Sequence, residues 1–231
     1  MQHVIHACAS SLRTLAAITA ALVISACSPL MQGSIDTLRA ALSGPPELVV
    51  TRDEVMARPY YQLRLDSPWG STLMSLGRVD GNREYWATST GQVLLIEHGL
   101  VRRAVGFPQT LEATRFVDGG EDPFAFGLHR VADGATRIRE LDWMPGYRHG
   151  VRLRSRFSRG ALETHTILGE SRALLRIDEY MQGEGGAADF AALNRYWVDP
   201  RDGFVFISEQ QPLPGMNLRI TQLRPYREAA R

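Results

Sequence analysis

From Tyr60 onward, turn signals recur about every ten residues, and the segments between them alternate in polarity. That rhythm constrains the fold more than any other feature, because an amphipathic helix needs a 3.6-residue period over a longer stretch. Tyr61, Leu63 and Leu65 alternate with polar partners, and Pro68-Trp69-Gly70 and Asp80-Gly81-Asn82 punctuate. Strand-like runs follow at 83–88, 93–96 and 100–105, with His98-Gly99 as a tight hairpin turn between the last two. Residues 109–134 are less regular, and Glu121-Asp122-Pro123-Phe124 fits a short helix or a long loop. Runs resume at 135–143, 147–157, 161–168, 172–181, 194–199, 203–209 and 217–223. The Gly-rich stretch 182–189 breaks the rhythm as a loop.

The pattern predicts an all-β, mainly antiparallel domain, either barrel-like or a sandwich. Tyr85-Trp86 with Gly91 and Val93 looks like Tyr196-Trp197 with Gly203 and Val205. A duplication into two similar β-subdomains would produce that likeness, and so would shared turn chemistry. Ahead of the strands, Thr51-Arg52-Asp53-Glu54 has the spacing of a capping box, and Pro59 stops the helix it starts.

The N-terminus reads as an address. Arg13 is the only full positive charge before the apolar run 15–26, and no acidic residue precedes Asp36. Those twelve residues would rise about 18 Å as a helix, short of the roughly 30 Å of a bilayer core. A secretory signal fits better than a membrane span. The run ends in Ile24-Ser25-Ala26-Cys27, which resembles the bacterial lipoprotein box. Residues 1–26 are then the signal peptide and Cys27 carries the lipid. Residues 27–44 form a tether with a short helix capped by Ser34 and ended by Gly44-Pro45-Pro46, and 45–231 form a β-rich periplasmic domain. Cys8 leaves with the signal, so no second thiol remains to form a disulfide. Two or three acyl chains hold firmly where one holds marginally. Ser28 stands where such lipoproteins carry Asp for inner-membrane retention, so the resemblance implies the outer membrane.

Chemistry is sparse in the remainder. All 26 basic residues are Arg, set against 25 acidic ones, and this balance argues against a nucleic-acid partner. His98, His129, His149 and His165 lack the spacing of a zinc site, and no nucleophile elbow or phosphate loop occurs. No metal or cofactor is expected. Glu121-Asp122 reads as the start of a loop. Asp178 and Glu179 are adjacent on a strand, so they point to opposite faces. Asp199-Pro200-Arg201-Asp202-Gly203 reads as a β-turn rather than a calcium loop. Seven Arg against two acids fall between Arg137 and Arg159. Arg152, Arg154 and Arg156 share one strand face, where guanidinium forks match carboxylate or phosphate groups. A face neutralised across strands by residues such as Glu163 and Asp178 is the simpler reading. Arg152, Arg154, Arg156, Trp86 and Trp197 are the candidate glycan or partner contacts.

Tyr196-Trp197-Val198-Asp199, Gly203-Phe204-Val205-Phe206-Ile207-Ser208-Glu209-Gln210 and Leu223-Arg224-Pro225 resemble the YjbF/GfcB-type lipoproteins of exopolysaccharide and capsule clusters. Arg58-Pro59-Tyr60, Trp86 before Gly91, His98-Gly99-Leu100-Val101-Arg102 leading to Gly106, and Asp122-Pro123 match as well. Ala104 stands where that family usually shows Thr, and Arg224-Pro225 replaces a common Lys-Pro. The resemblance implies a β-rich, barrel-like fold. It also implies an accessory role in polysaccharide production or export, with an outer-membrane export protein and periplasmic proteins of the same cluster as partners. An anionic polysaccharide is a further expected ligand. The resemblance supplies no catalytic residue, and a periplasmic polysaccharide-modifying enzyme is the alternative.

Overall fold

The computed structural model describes residues 48–187 and 189–227, which belong to one unit, Glu47–Arg231. The predicted signal peptide, Cys27 and the tether with its short helix lie outside the described residues. Thr51 caps α1 (Arg52–Met56) as its spacing predicts: the Thr51 amide donates to Glu54 Oε2 at 2.8 Å and Thr51 Oγ1 accepts from the Glu54 amide at 3.3 Å. Twelve strands follow: β1 (Gln62–Ser67), β2 (Gly70–Asp80), β3 (Arg83–Ala87), β4 (Val93–Glu97), β5 (Leu100–Val105), β6 (Thr110–Phe116), β7 (Thr136–Met144), β8 (Arg148–Ile167), β9 (Glu170–Gly183), β10 (Ala191–Val198), β11 (Val205–Leu213) and β12 (Met216–Arg224). Each pairs antiparallel with its sequence neighbour, and β12 pairs with β1, so the sheet closes into a barrel. His98-Gly99 and Leu168-Gly169 each place two successive residues at positive φ, as two-residue hairpin turns require.

Three expectations change. The predicted strands 147–157 and 161–168 are one twenty-residue strand, β8, whose register merely shifts between Arg159 and Leu162. Gly160 marks a bulge and not a turn; a Cβ there would lie 2.8 Å from Arg176 Nε on β9, which runs unbroken past it. Part of the irregular segment is β6, leaving a connection that holds α2 (Pro123–Phe126) and a 3-10 turn (Leu128–Arg130). The sheet is also a single barrel and not two β-subdomains. The two Tyr-Trp hairpins differ in facing: Trp86 and Tyr196 are both fully buried and sit in separate core clusters, while Trp197 lies in a third.

Eight strands already enclose a space that side chains just fill, and the diameter grows with strand number. Twelve therefore demand bulk, and the largest fully buried side chains are Trp86, Arg139, Tyr196 and Phe157. The β6–β7 connection adds Phe124 and Leu128 to the core; the Phe124 ring meets Tyr196 edge-on at 5.1 Å and Phe157 at 6.3 Å. Asp122 caps α2 and is itself ion-paired with Arg102 on β5.

Inside this wide barrel the Glu179 carboxylate, fully buried, accepts four hydrogen bonds from three other strands. Arg139 Nη2 (2.6 Å) and Ser155 Oγ (2.6 Å) donate to Oε1; Asn194 Nδ2 (2.9 Å) and Tyr196 Oη (3.0 Å) donate to Oε2. Burial pushes the Tyr196 phenol well above its ordinary range, which keeps it a donor. The Arg139 guanidinium also lies 5.1 Å from the Phe116 ring centre and 5.8 Å from that of Phe124. Asp178, next in sequence, instead lies against Arg176 (3.2 Å) and Arg195 (3.9 Å), so the predicted opposite facing holds.

The outward rows carry ion pairs around the barrel: Arg64–Asp66 (2.8 Å), Arg103–Glu112 (2.6 Å), Arg115–Glu140 (3.0 Å), Arg176–Glu163 (2.6 Å) and Arg195–Glu209 (3.3 Å). A lipid-facing barrel would need an apolar band there instead. Among the described residues no helix is long and apolar enough to cross a membrane.

Removing one partner of a buried pair strands a charge, whereas exposed pairs contribute little. Glu179→Ala should therefore destabilise the barrel by about 3–5 kcal/mol, and Arg115→Ala by less than about 1 kcal/mol. Urea unfolding midpoints measure both; equal losses would remove the buried pair from its central role.

Candidate functional site

Strand direction alternates, so the β2–β3, β4–β5, β6–β7 and β10–β11 connections gather at one end of the barrel, where β12 also finishes. Gln210 on β11 draws one of these turns inward. Its Nε2 donates to the Gly99 carbonyl at 2.9 Å and its Oε1 accepts from the Val101 amide at 3.0 Å. Side chain thus stands in for backbone between β11 and a hairpin that is not its neighbour in the sheet. The approach needs glycine: a Cβ on Gly99 would fall 2.3 Å from Val205 Cγ2, and φ there is 85°.

Around this stitch lies a cavity of about 470 Å³, within the usual range for ligand sites. Gly81-Asn82, His98-Gly99, the Phe124–Arg130 stretch, the Asp202–Phe204 turn, Gln222 of β12 and the following Tyr226-Arg227 line it. Glu84 on β3 enters from the wall and accepts from Trp86 Nε1 at 2.9 Å. Burial raises its carboxyl from the ordinary 4.5 to about 7, outweighing the Trp86 hydrogen bond that pulls the other way. Gln222 is only 6% exposed, and its Oε1 meets no donor.

His129 is wedged beneath the Asp202–Phe204 turn, where a Cβ on Gly203 would sit 2.2 Å from its Nδ1. Arg130 Nε donates to His129 Nε2 at 3.2 Å, so the imidazole accepts there and is neutral. Burial, then the Arg130 charge, lowers its pKa. At the rim, Arg227 pairs with Asp202 and lies 4.7 Å from the Phe204 ring centre. The Asp199 turn forms as predicted: Asp199 Oδ1 accepts from the Arg201 amide at 3.0 Å. The Arg201 guanidinium holds the Asp199 carboxyl down to about 2. Among the described residues no group of three His, Cys, Asp or Glu could hold a metal.

The residues singled out from the sequence do not converge. Arg152, Arg154 and Arg156 do share the outer face of β8. Arg152 reaches Glu140 (3.2 Å) and Arg154 reaches Glu184 (2.7 Å), so their neutralising partners are not Glu163 or Asp178. Glu163 is engaged by Arg176, and Asp178 by Arg176 and Arg195, all nearer those acids. Arg156 has no ion-pair partner among the described residues and stands across from the half-exposed Tyr180. Trp86 is fully buried in the core and presents no face to a glycan. Trp197 is 6% exposed on the outer surface, donating from Nε1 to Glu163 at 2.7 Å, with Arg219 5.7 Å from its ring centre.

Sequence reasoning missed Glu84 and Gln222. A signal existed for both. Glu84 lies two residues before Trp86, and Gln222 continues the alternation of Leu218 and Ile220, so each is a polar residue on a core-facing row. Glu84 and Asp202 share the cavity although 118 positions separate them, and only the closed sheet brings such residues to one end.

A carboxyl raised to about 7 in the folded chain holds its proton where the unfolded chain has lost it. Its contribution to stability is therefore complete below the ordinary 4.5 and declines as pH rises through 7. The decline is on the order of 3 kcal/mol. Glu84→Gln should match the parent near pH 4 and exceed it by up to that amount at pH 8. Denaturant midpoints across this range test it, and parallel curves for the two proteins would refute the burial of Glu84.

The family described as "Group 4 capsule polysaccharide lipoprotein gfcB, YjbF" matches residues 35–223. The uncharacterized lipoprotein GfcB of Escherichia coli K12 is 25% identical over 208 residues, covering 89% of this chain and 95% of that protein. The uncharacterized lipoprotein YjbF of the same organism is 24% identical over 192 residues, covering 82% and 86%. The crystal structure of the hypothetical lipoprotein YmcC from Escherichia coli K12 superposes with a TM-score of 0.68 at 23% identity, over 84% of this chain and 97% of that one. That likeness is one of fold. With a match running from the residues before the barrel to its last strand, the chain belongs to the GfcB/YjbF family of group 4 capsule polysaccharide lipoproteins.

Proposed function

We propose that the protein is an outer-membrane lipoprotein, lipidated at Cys27, whose barrel faces the periplasm and assists capsule or exopolysaccharide production or export. It acts by binding partner proteins of the same cluster, the glycan, or both. The observation that carries this reading is the contrast between the barrel's two kinds of surface. Its circumference carries many Arg–carboxylate pairs, whereas one end opens into a cavity where Gln222 Oε1 and His129 Nδ1 are buried without a partner. Such a domain suits an aqueous compartment and needs a separate anchor to stay at a membrane. A lipidated Cys27 supplies one. On the outer wall, Arg156 beside Tyr180 is the part of the arginine row left available to an anionic glycan or an acidic partner.

Glu84 and Asp202 in one cavity favour a second reading, a glycan-modifying enzyme with Glu84 as the proton donor. Purified protein incubated with the capsule polysaccharide separates the two. Shortened or altered chains that disappear with Glu84→Gln support the enzyme, and unchanged chains support the binding role.

Cys27→Ala should abolish incorporation of labelled fatty acid and release the protein from the membrane fraction. Deletion of the gene should reduce surface polysaccharide. Persistent labelling of the variant, or normal polysaccharide in the deletion strain, would overturn the anchor and the pathway respectively.

A further inference from the structure

The cavity's chemistry selects a ligand class by elimination. A purely apolar ligand would leave Gln222 Oε1 buried without a donor, in a wall where Asn82 and Glu84 also present polar groups. A cation would meet Arg130 and Arg227, and an anion would meet Asp202, whose carboxylate Arg227 already engages. Arg227 and Asp202 answer each other, and Arg130 donates to the His129 ring. Gln222 Oε1 remains an unmet neutral acceptor, in a largely polar space that also offers the Phe126 ring, 42% exposed on α2.

A hydroxyl group both donates and accepts, and a sugar ring carries several around an apolar C–H face. We infer that this cavity binds an uncharged sugar residue, with a hydroxyl donating to Gln222 Oε1, further hydroxyls meeting Asn82 and Glu84, and a C–H face lying on Phe126. This deepens the glycan-binding side of the proposed function and rests on it for the source of the sugar. The ligand chemistry is common to a free sugar and to a residue within a polysaccharide. The site is built in advance of its ligand: α2 is held by Asp122 and Arg102, the His98-Gly99 turn by Gln210, and the Asp202 turn sits over His129.

The test uses the full-length lipoprotein in a detergent without a sugar headgroup. Binding of the methyl glycosides of glucose, galactose and mannose is measured by calorimetry, with methyl glucuronide and glucosamine as anionic and cationic counterparts. The purified capsule polysaccharide is added as a separate arm. At least one neutral glycoside should bind, and the charged counterparts should bind at least tenfold more weakly. Gln222→Leu should weaken binding at least tenfold while leaving the melting temperature unchanged or raised, because it removes an unmet polar atom. Phe126→Ala, at an exposed position, should also weaken it without unfolding the chain.

Competition by the polysaccharide identifies a chain residue as the source, and its absence identifies a free sugar. No binding by any neutral glycoside or the polysaccharide, binding that ignores both substitutions, or equal binding of charged and neutral sugars overturns the inference. The capsule phenotype of the deletion strain is read separately. Lost binding with a retained phenotype removes the sugar site alone, and retained binding without a phenotype removes the pathway alone.

Discussion

A sheet of twelve strands closed on itself encloses more room than branched aliphatic side chains fill, and the Arg139–Glu179 pair meets that demand. Two long side chains from β7 and β9 occupy the lumen as one hydrogen-bonded object, with Ser155, Asn194 and Tyr196 completing the carboxylate's shell. The arrangement is all or nothing. With every acceptor site used, the buried charge is tolerable; with one partner removed, the other has no water to turn to.

The consequences run toward the cavity. Tyr196, fixed by Glu179, presents its ring edge to Phe124, and Phe124 belongs to both the core and the cavity wall. Arg139 faces that same ring from below. The connection between β6 and β7 is thus seated by the polar centre of the barrel rather than by strand pairing. The opposite wall depends on Gln210, a side chain that mimics a strand. Two polar devices inside the lumen, the Glu179 cluster and Gln210, therefore set the shape of the end where the cavity opens.

Local chemistry made the strands, the His98-Gly99 turn, the Thr51 capping box and the Asp199 turn legible before any coordinates. Each is written in residues adjacent in the chain. The runs 147–157 and 161–168 read as two strands because a glycine between alternating runs looks the same whether it ends a strand or bulges it; the deciding partner of Gly160, Arg176, lies on another strand. Arg152 and Arg154 are neutralised, but their partners, Glu140 across the strands and Glu184 just past the end of β9, are not readable from spacing. Glu84, Asp202 and Gln222 are far apart in sequence and meet only because the barrel closes. A carboxylate on the same strand face as a core tryptophan was the visible hint.

The pairing of β12 with β1 has a bearing on how anything can attach to this molecule. With that seam shut, the sheet has no free edge strand among the described residues, and its thinnest seam is between β5 and β6, which meet in register at Ala104 and Leu111 alone. Association must then be written in side chains and turn tips. Such contacts can be exchanged residue by residue while the underlying scaffold stays as it is.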